Sequence, residues 1–155
     1  ACRAPRAVSG SAPAFAIVDY GVGNLANVAR ALGRAGAEVG VTRDAEEIAR
    51  ARAVVLPGVG NFGHCVRELR RHGLDGPVRR ARGAGVPILG LCVGMQLFFE
   101  ASEEDAGEPG LGFLRGTVRR LRGAPRVPHT GWNAVRITRP HPWLADVADV
   151  GRVFW

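Results

Sequence analysis

The chain has 155 residues, 46% of them apolar and 23% charged, with 22 glycines and 10 prolines, proportions that fit one ordinary soluble domain and exclude a collagen-like or low-complexity chain. Cysteines at 2, 65 and 92 make no disulfide framework, and no apolar run approaches the roughly 20 residues of a membrane-spanning helix, so no membrane partner is expected and the cytoplasm is the default compartment. The formal charge is +7, but all 21 basic residues are arginine, interleaved with acids and glycines and without aromatics to stack bases, so no nucleic-acid partner is expected.

Residues 1–14 (ACRAPRAVSGSAPA) carry no acid and no apolar periodicity and are expected to form a disordered tail ahead of a domain spanning 15–155. Phe15 to Asp19 is a short apolar run that predicts a first strand. After a glycine turn, Leu25, Val28, Ala29 and Leu32 recur at helical spacing behind an Asn24 N-cap, and Gly36 ends the helix. Glu38 to Thr42 predicts a second strand. Asp44 with Glu47 three residues on resembles a capping box for a helix to about Ala51, and Ala53 to Leu56 predicts a third strand. Helices over Phe62 to Arg71 and around Pro77 to Arg82 lead to a buried-looking strand, Val86 to Leu91, and then a helix from about Gly94 to Glu100. Strands separated by helices of this length imply an α/β, flavodoxin-like parallel sheet in three layers, with the site at the carboxyl ends of the strands. Short β-prone pieces at 117–121 and 134–138 suggest extra strands at a sheet edge.

Two glycine loops invite a nucleotide reading. Gly21-Val22-Gly23-Asn24-Leu25-Ala26 matches G-x-G-x-x-A between a strand and a helix, and Gly58-Val59-Gly60-Asn61-Phe62-Gly63 repeats the pattern after the third strand. A second match where a dinucleotide fold would not demand one weakens both, and tight strand-to-helix turns account for each.

Gly90-Leu91-Cys92-Val93-Gly94 is the thiol form of the nucleophile elbow G-x-S-x-G, placed between a strand and a helix. A sharp turn there forces strained backbone angles on the nucleophile, and side chains at the flanking positions would collide with neighbouring backbone. Cys92 then sits at a helix start, where unpaired amides favour a negative sulfur, and the Val93 amide points to where an oxyanion would form. Cys65, on the Phe62 to Arg71 helix, is read as a structural thiol. A nucleophilic cysteine needs a base, yet His64 and His72 read as charged helix surface, and His129 and His141 stand in proline-rich loops.

Four blocks together resemble the class I (triad) glutamine amidotransferases: Asp19-Tyr20-Gly21-Val22-Gly23-Asn24-Leu25, Leu56-Pro57-Gly58-Val59-Gly60, Gly90-Leu91-Cys92-Val93-Gly94-Met95-Gln96 and Val127-Pro128-His129-Thr130-Gly131-Trp132-Asn133. The first and last blocks are most similar to the glutaminase subunits of imidazole glycerol phosphate synthase, which serve histidine biosynthesis. The resemblance implies that Cys92 attacks the glutamine side-chain amide, that backbone amides of Val59 and Val93 form the oxyanion hole, and that Gly58, Gly60 and Gln96 contact glutamine. It also implies a heterodimer with a cyclase, a (βα)8 barrel that receives the ammonia, contacted through Asn24, Trp132 and Asn133. No metal and no cofactor are implied.

The family's catalytic His and Glu follow the strand that Val153-Phe154-Trp155 would begin. The chain is therefore expected to be incomplete at its carboxyl end and to have negligible glutaminase turnover by itself. A non-catalytic cyclase-binding protein of the same fold and a dinucleotide module are the alternatives. Thr130 stands where the family commonly has Met, which bears on local packing only.

Overall fold

The computed structural model describes residues 14–123, 127, 131, 132, 134 and 136–140, with the backbone alone of 133, 153 and 154. The chain divides into two compact units, 1–119 and 120–155, where the sequence reading has one domain from 15 to 155.

Four parallel strands carry the first unit: β1 (Phe15–Val18), β2 (Val39–Thr42), β3 (Ala53–Gly58) and β4 (Ile88–Cys92), in the order β2-β1-β3-β4. Ile17 is registered with Val41 on one side and with Val55 on the other. Being flanked by strands and covered by helices explains why β1 and β3 are continuous apolar runs: Ala16, Ile17 and Val18, and Val54, Val55 and Leu56, are fully buried.

Strand order decides where the helices lie. These are α1 (Leu25–Arg34), α2 (Ala45–Arg50), α3 (Phe62–Arg71) and α4 (Asp75–Gly83). The step from β1 to β2 runs opposite to the steps from β2 to β3 and from β3 to β4. Right-handed crossovers therefore put α1 on one face and α2, α3 and α4 on the other. Burial agrees. One core joins Ala16, Val18, Val54 and Leu56 to Ile48 of α2, Phe62, Cys65, Val66 and Leu69 of α3, and Val78 and Ala81 of α4. Ile17 and Val55 alternate to the other face. There the α1 stripe of Leu25, Val28, Ala29 and Leu32 is only half-buried.

The helix ends follow their local signals. Asn24 accepts the Asn27 N–H at 3.2 Å, and Gly36 takes φ +84° beyond α1. Asp44 accepts the N–H groups of Glu46 and Glu47 at 2.7 and 3.0 Å. The reciprocal half of a capping box is replaced by the Thr42 hydroxyl, which accepts the Asp44 N–H at 2.9 Å. At α3, Asn61 accepts from His64 N–H, and the Phe62 N–H reaches across the fold to the Glu104 carboxylate at 2.8 Å.

Three expectations are corrected. First, the last strand of the sheet is shifted to 88–92 and is not buried: Ile88 and Leu91 are half-buried and Leu89 is 39% exposed, because among the described residues β4 has β3 as its one neighbouring strand. Second, the helix expected over 94–100 is a single turn, α5 (Val93–Gln96). The N–H groups of Phe98 and Phe99 turn to the carbonyls three residues back, Met95 and Gln96, and the Glu100 N–H leaves for the Gly116 carbonyl, so the α-helical ladder is not continued. Third, the extra strands do not extend the main sheet. β5 (Ala101–Ser102) and β6 (Thr117–Val118) form their own parallel pair. No strand is formed by the described residues of 134–138. The second unit holds an antiparallel pair, β7 (Trp132–Asn133) with β8 (Val153–Phe154), and a strand persists only where a partner completes its ladder. The expected tail at 1–13, and His129, Thr130 and His141, lie outside the described residues.

Candidate functional site

The chain leaves β1 toward β2 and leaves β3 toward β4, in opposite directions, which opens a crevice at the carboxyl ends of β1 and β3. Cys92 ends β4 in the register opposite Gly58 of β3. Its thiol is exposed, and its backbone lies at φ +55° and ψ −120°. Among the described residues it is the one non-glycine at positive φ, which is the strain a nucleophile elbow requires.

The glycines around it are demanded by space. A β-carbon at Gly90 would meet the Met95 Cα at 2.5 Å and its N at 2.7 Å, and one at Gly94 would lie inside the Leu56 carbonyl. A β-carbon at Gly58 would sit 2.5 Å from the Gly94 N and 3.0 Å from the Val93 carbonyl carbon. The backbone ending β3 and the backbone of the elbow thus touch directly. Val93 is buried, Gln96 is half-buried on α5, and Val59 and Gly60 are exposed on the loop after β3. Cys92, Val93, Gly94, Gln96, Gly58, Val59 and Gly60 are gathered by two adjacent strands.

Two buried donors beneath this loop were not singled out as functional by the sequence. The Tyr20 hydroxyl, on the turn after β1, donates to the Pro57 carbonyl. The Cys65 thiol, in the first turns of α3, donates to the Val59 carbonyl at 3.4 Å. Burial pushes the Tyr20 phenol far above its ordinary value and raises the Cys65 thiol, so both remain protonated donors at neutral pH. The one signal in the sequence is that Tyr20, the only tyrosine, follows an apolar strand, where a buried ring still needs a partner for its hydroxyl.

Asp19 closes the neighbouring turn, accepting the Gly21 N–H at 3.0 Å and the Arg43 guanidinium at 3.0 and 3.3 Å. Partial burial pushes its carboxyl up, but Arg43 and the Gly21 N–H outweigh burial and hold it below the usual range. Gly21 and Gly23 take φ +83° and +110°, and a β-carbon at Gly23 would stand 3.1 Å from the Pro57 Cβ. That glycine fingerprint makes a turn packed on the end of β3. No group of three metal-ligating side chains occurs among the described residues.

Of the histidines, His64 is exposed on α3. His72, read from the sequence as surface, is half-buried at the end of that helix, with Nε2 3.0 Å from Arg71 and 3.9 Å from Glu68. Asn24 is exposed on the turn after β1, its side-chain oxygen already capping α1. In the second unit Trp132 is 68% exposed.

The family model described as Glutamine amidotransferase class-I matches residues 16–150. The chain is 47% identical over 136 residues to the imidazole glycerol phosphate synthase subunit HisH of Deinococcus radiodurans, covering 86% of this chain and 63% of that protein. It is 44% identical over 145 residues to the HisH subunit of Geobacillus kaustophilus, covering 90% and 68%. For the HisH subunit of Moorella thermoacetica the identity is 49% over 126 residues, covering 81% and 60%. The chain thus spans about two thirds of the length of these relatives or less. A solved structure described as a glutamine amidotransferase superposes with a TM-score of 0.64 at 23% identity, covering 77% of this chain and 62% of that one, a likeness of fold.

Proposed function

The chain belongs to the class-I glutamine amidotransferase family, and from that premise we propose that it supplies the glutaminase chemistry of an imidazole glycerol phosphate synthase. Cys92 Sγ attacks the side-chain amide carbon of glutamine, and its proton passes by way of a general base to the departing nitrogen. The carbonyl oxygen, now an oxyanion, lies between the N–H of Val93 and the N–H of Val59. Ammonia leaves, and water cleaves the thioester to release glutamate and restore the thiol. Among the described residues no side chain is hydrogen-bonded to Cys92, so the base is sought outside them.

The observation that carries this reading is the register of Gly58 with Cys92. It brings the loop after β3 against the elbow, which supports assigning the backbone amides of Val59, just after β3, and Val93, at the start of α5, to one oxyanion. Gly58 and Gly60, at and after the end of β3, and Gln96 of α5 are assigned to glutamine. The ammonia is passed to a cyclase subunit, and exposed Asn24, on the same carboxyl edge as Cys92, contacts it. In the second unit, Trp132 and Asn133 are assigned to contact with a cyclase, exposed Trp132 as a flat anchor. The reaction needs no metal or cofactor.

The test is labelling of the natural full-length protein, with its cyclase, by diazo-oxo-norleucine. A single adduct on the Cys92 peptide, blocked by excess glutamine, is the expected result. Labelling elsewhere, or labelling indifferent to glutamine, would count against the assignment.

A further inference from the structure

The loop that presents the Val59 N–H has little to hold it in place. Gly58 is fixed against the elbow at the end of β3, but beyond it Val59 is 49% exposed, and Gly60 lies at φ +83° with open space where its β-carbon would be. Past the end of β3 the chain therefore has an exposed residue followed by a glycine, whose backbone torsions are soft. Its orientation must come from beneath, and there the loop meets two buried side chains from other elements.

We propose that Tyr20 and Cys65 are positioning residues for the oxyanion hole, pinning the two peptides on either side of the one that carries the Val59 N–H. The Tyr20 hydroxyl holds the Pro57 carbonyl, and because the peptide is planar it also fixes the Gly58 N–H. The Cys65 thiol holds the Val59 carbonyl, and so fixes the Gly60 N–H. The peptide between them, Gly58 C=O to Val59 N–H, is left to turn only within two anchored neighbours. Both donor side chains are fully buried, and the bond from Tyr20 to Pro57 is itself buried. They come from different elements, the turn after β1 and helix α3, so the amide is referenced to the core of the sheet as well as to its own loop. This inference rests on the glutaminase reading above and adds residues that touch neither glutamine nor the reacting sulfur.

The experiment compares Tyr20→Phe and Cys65→Ala with wild type in the natural full-length protein with its cyclase. Glutamine turnover is measured beside alkylation of Cys92 by iodoacetamide, a displacement that forms no oxyanion. Each variant is expected to lose roughly tenfold in kcat with KM for glutamine nearly unchanged, a fraction of what deleting an oxyanion donor costs. Iodoacetamide is expected to alkylate Cys92 at the wild-type rate. Wild-type kcat in both variants would overturn the proposal, as would losses matched by an equal fall in iodoacetamide reactivity, which report a disturbed elbow. Should one variant fail to fold, the other decides by the same readouts. If wild-type protein and Cys92→Ala hydrolyse glutamine equally, the glutaminase reading itself fails and this inference falls with it.

Discussion

Gly58 and Cys92 are register partners at the carboxyl ends of β3 and β4, and no atom larger than hydrogen fits on Gly58 between the two backbones. The proposed oxyanion hole depends on that closeness. Gly58→Ala would drive a methyl into the Gly94 N and the Val93 carbonyl carbon, and the backbone must separate to admit it. Stability is expected to fall by about 1–3 kcal/mol. Glutamine turnover is expected to fall at least a hundredfold, the order of cost seen when an oxyanion donor is lost. Denaturant melts and steady-state kinetics on the same preparation check both.

Strain at Cys92 leads to the opposite sign. A non-glycine residue at φ +55° and ψ −120° costs on the order of 1 kcal/mol, which glycine would release. Cys92→Gly is expected to melt higher than wild type while losing all glutamine hydrolysis. A lower melting temperature for the glycine variant would show that the thiol contributes packing greater than the strain.

The Asp19 carboxyl gives a pH dependence. Its pKa is lower folded than unfolded, so the stability it contributes is fully present above the unfolded value near 3.8 and is lost as pH falls through the folded value. The difference in stability between wild type and Asp19→Asn should therefore be constant above about pH 5 and shrink below about pH 4. Urea melts across that range measure it; a difference that grows on acidification would reverse the assignment.

Glu104 caps a helix 42 residues away by accepting the Phe62 N–H at 2.8 Å. Removing it leaves a helix-start N–H without its carboxylate partner. Glu104→Ala is expected to cost about 1 kcal/mol, and Glu104→Gln, which keeps an acceptor, less. Thermal or denaturant melts of the two variants side by side supply the comparison.

The parts of the fold legible in the sequence are those decided locally. The Asn24 cap and the apolar spacing of Leu25, Val28, Ala29 and Leu32 set α1, and the G-x-C-x-G glycines announce the elbow because no side chain fits there. What the sequence hid depends on distant partners. The run Leu97 to Glu100 continues a helical pattern, yet the Phe98 and Phe99 N–H groups tighten to i−3 carbonyls and the Glu100 N–H is taken by the carbonyl of Gly116. Val86 to Leu91 reads as buried because it is apolar, whereas its exposure follows from β4 being outermost among the described strands, which strand order alone decides. The hydrogen bond of Tyr20 is hidden for the same reason, its partner Pro57 being 37 residues away, while Cys65 reads as a structural thiol and its bond to Val59, six residues back, depends on how α3 turns beneath the loop.

The central claim, that Cys92 forms a covalent bond to glutamine, is tested most directly by acid-quenching the natural full-length protein during turnover with its cyclase and examining the Cys92 peptide by mass spectrometry. The account predicts a γ-glutamyl thioester on Cys92 that disappears once glutamine is exhausted and never forms in Cys92→Ala, which releases no ammonia. Steady ammonia release from Cys92→Ala would contradict it.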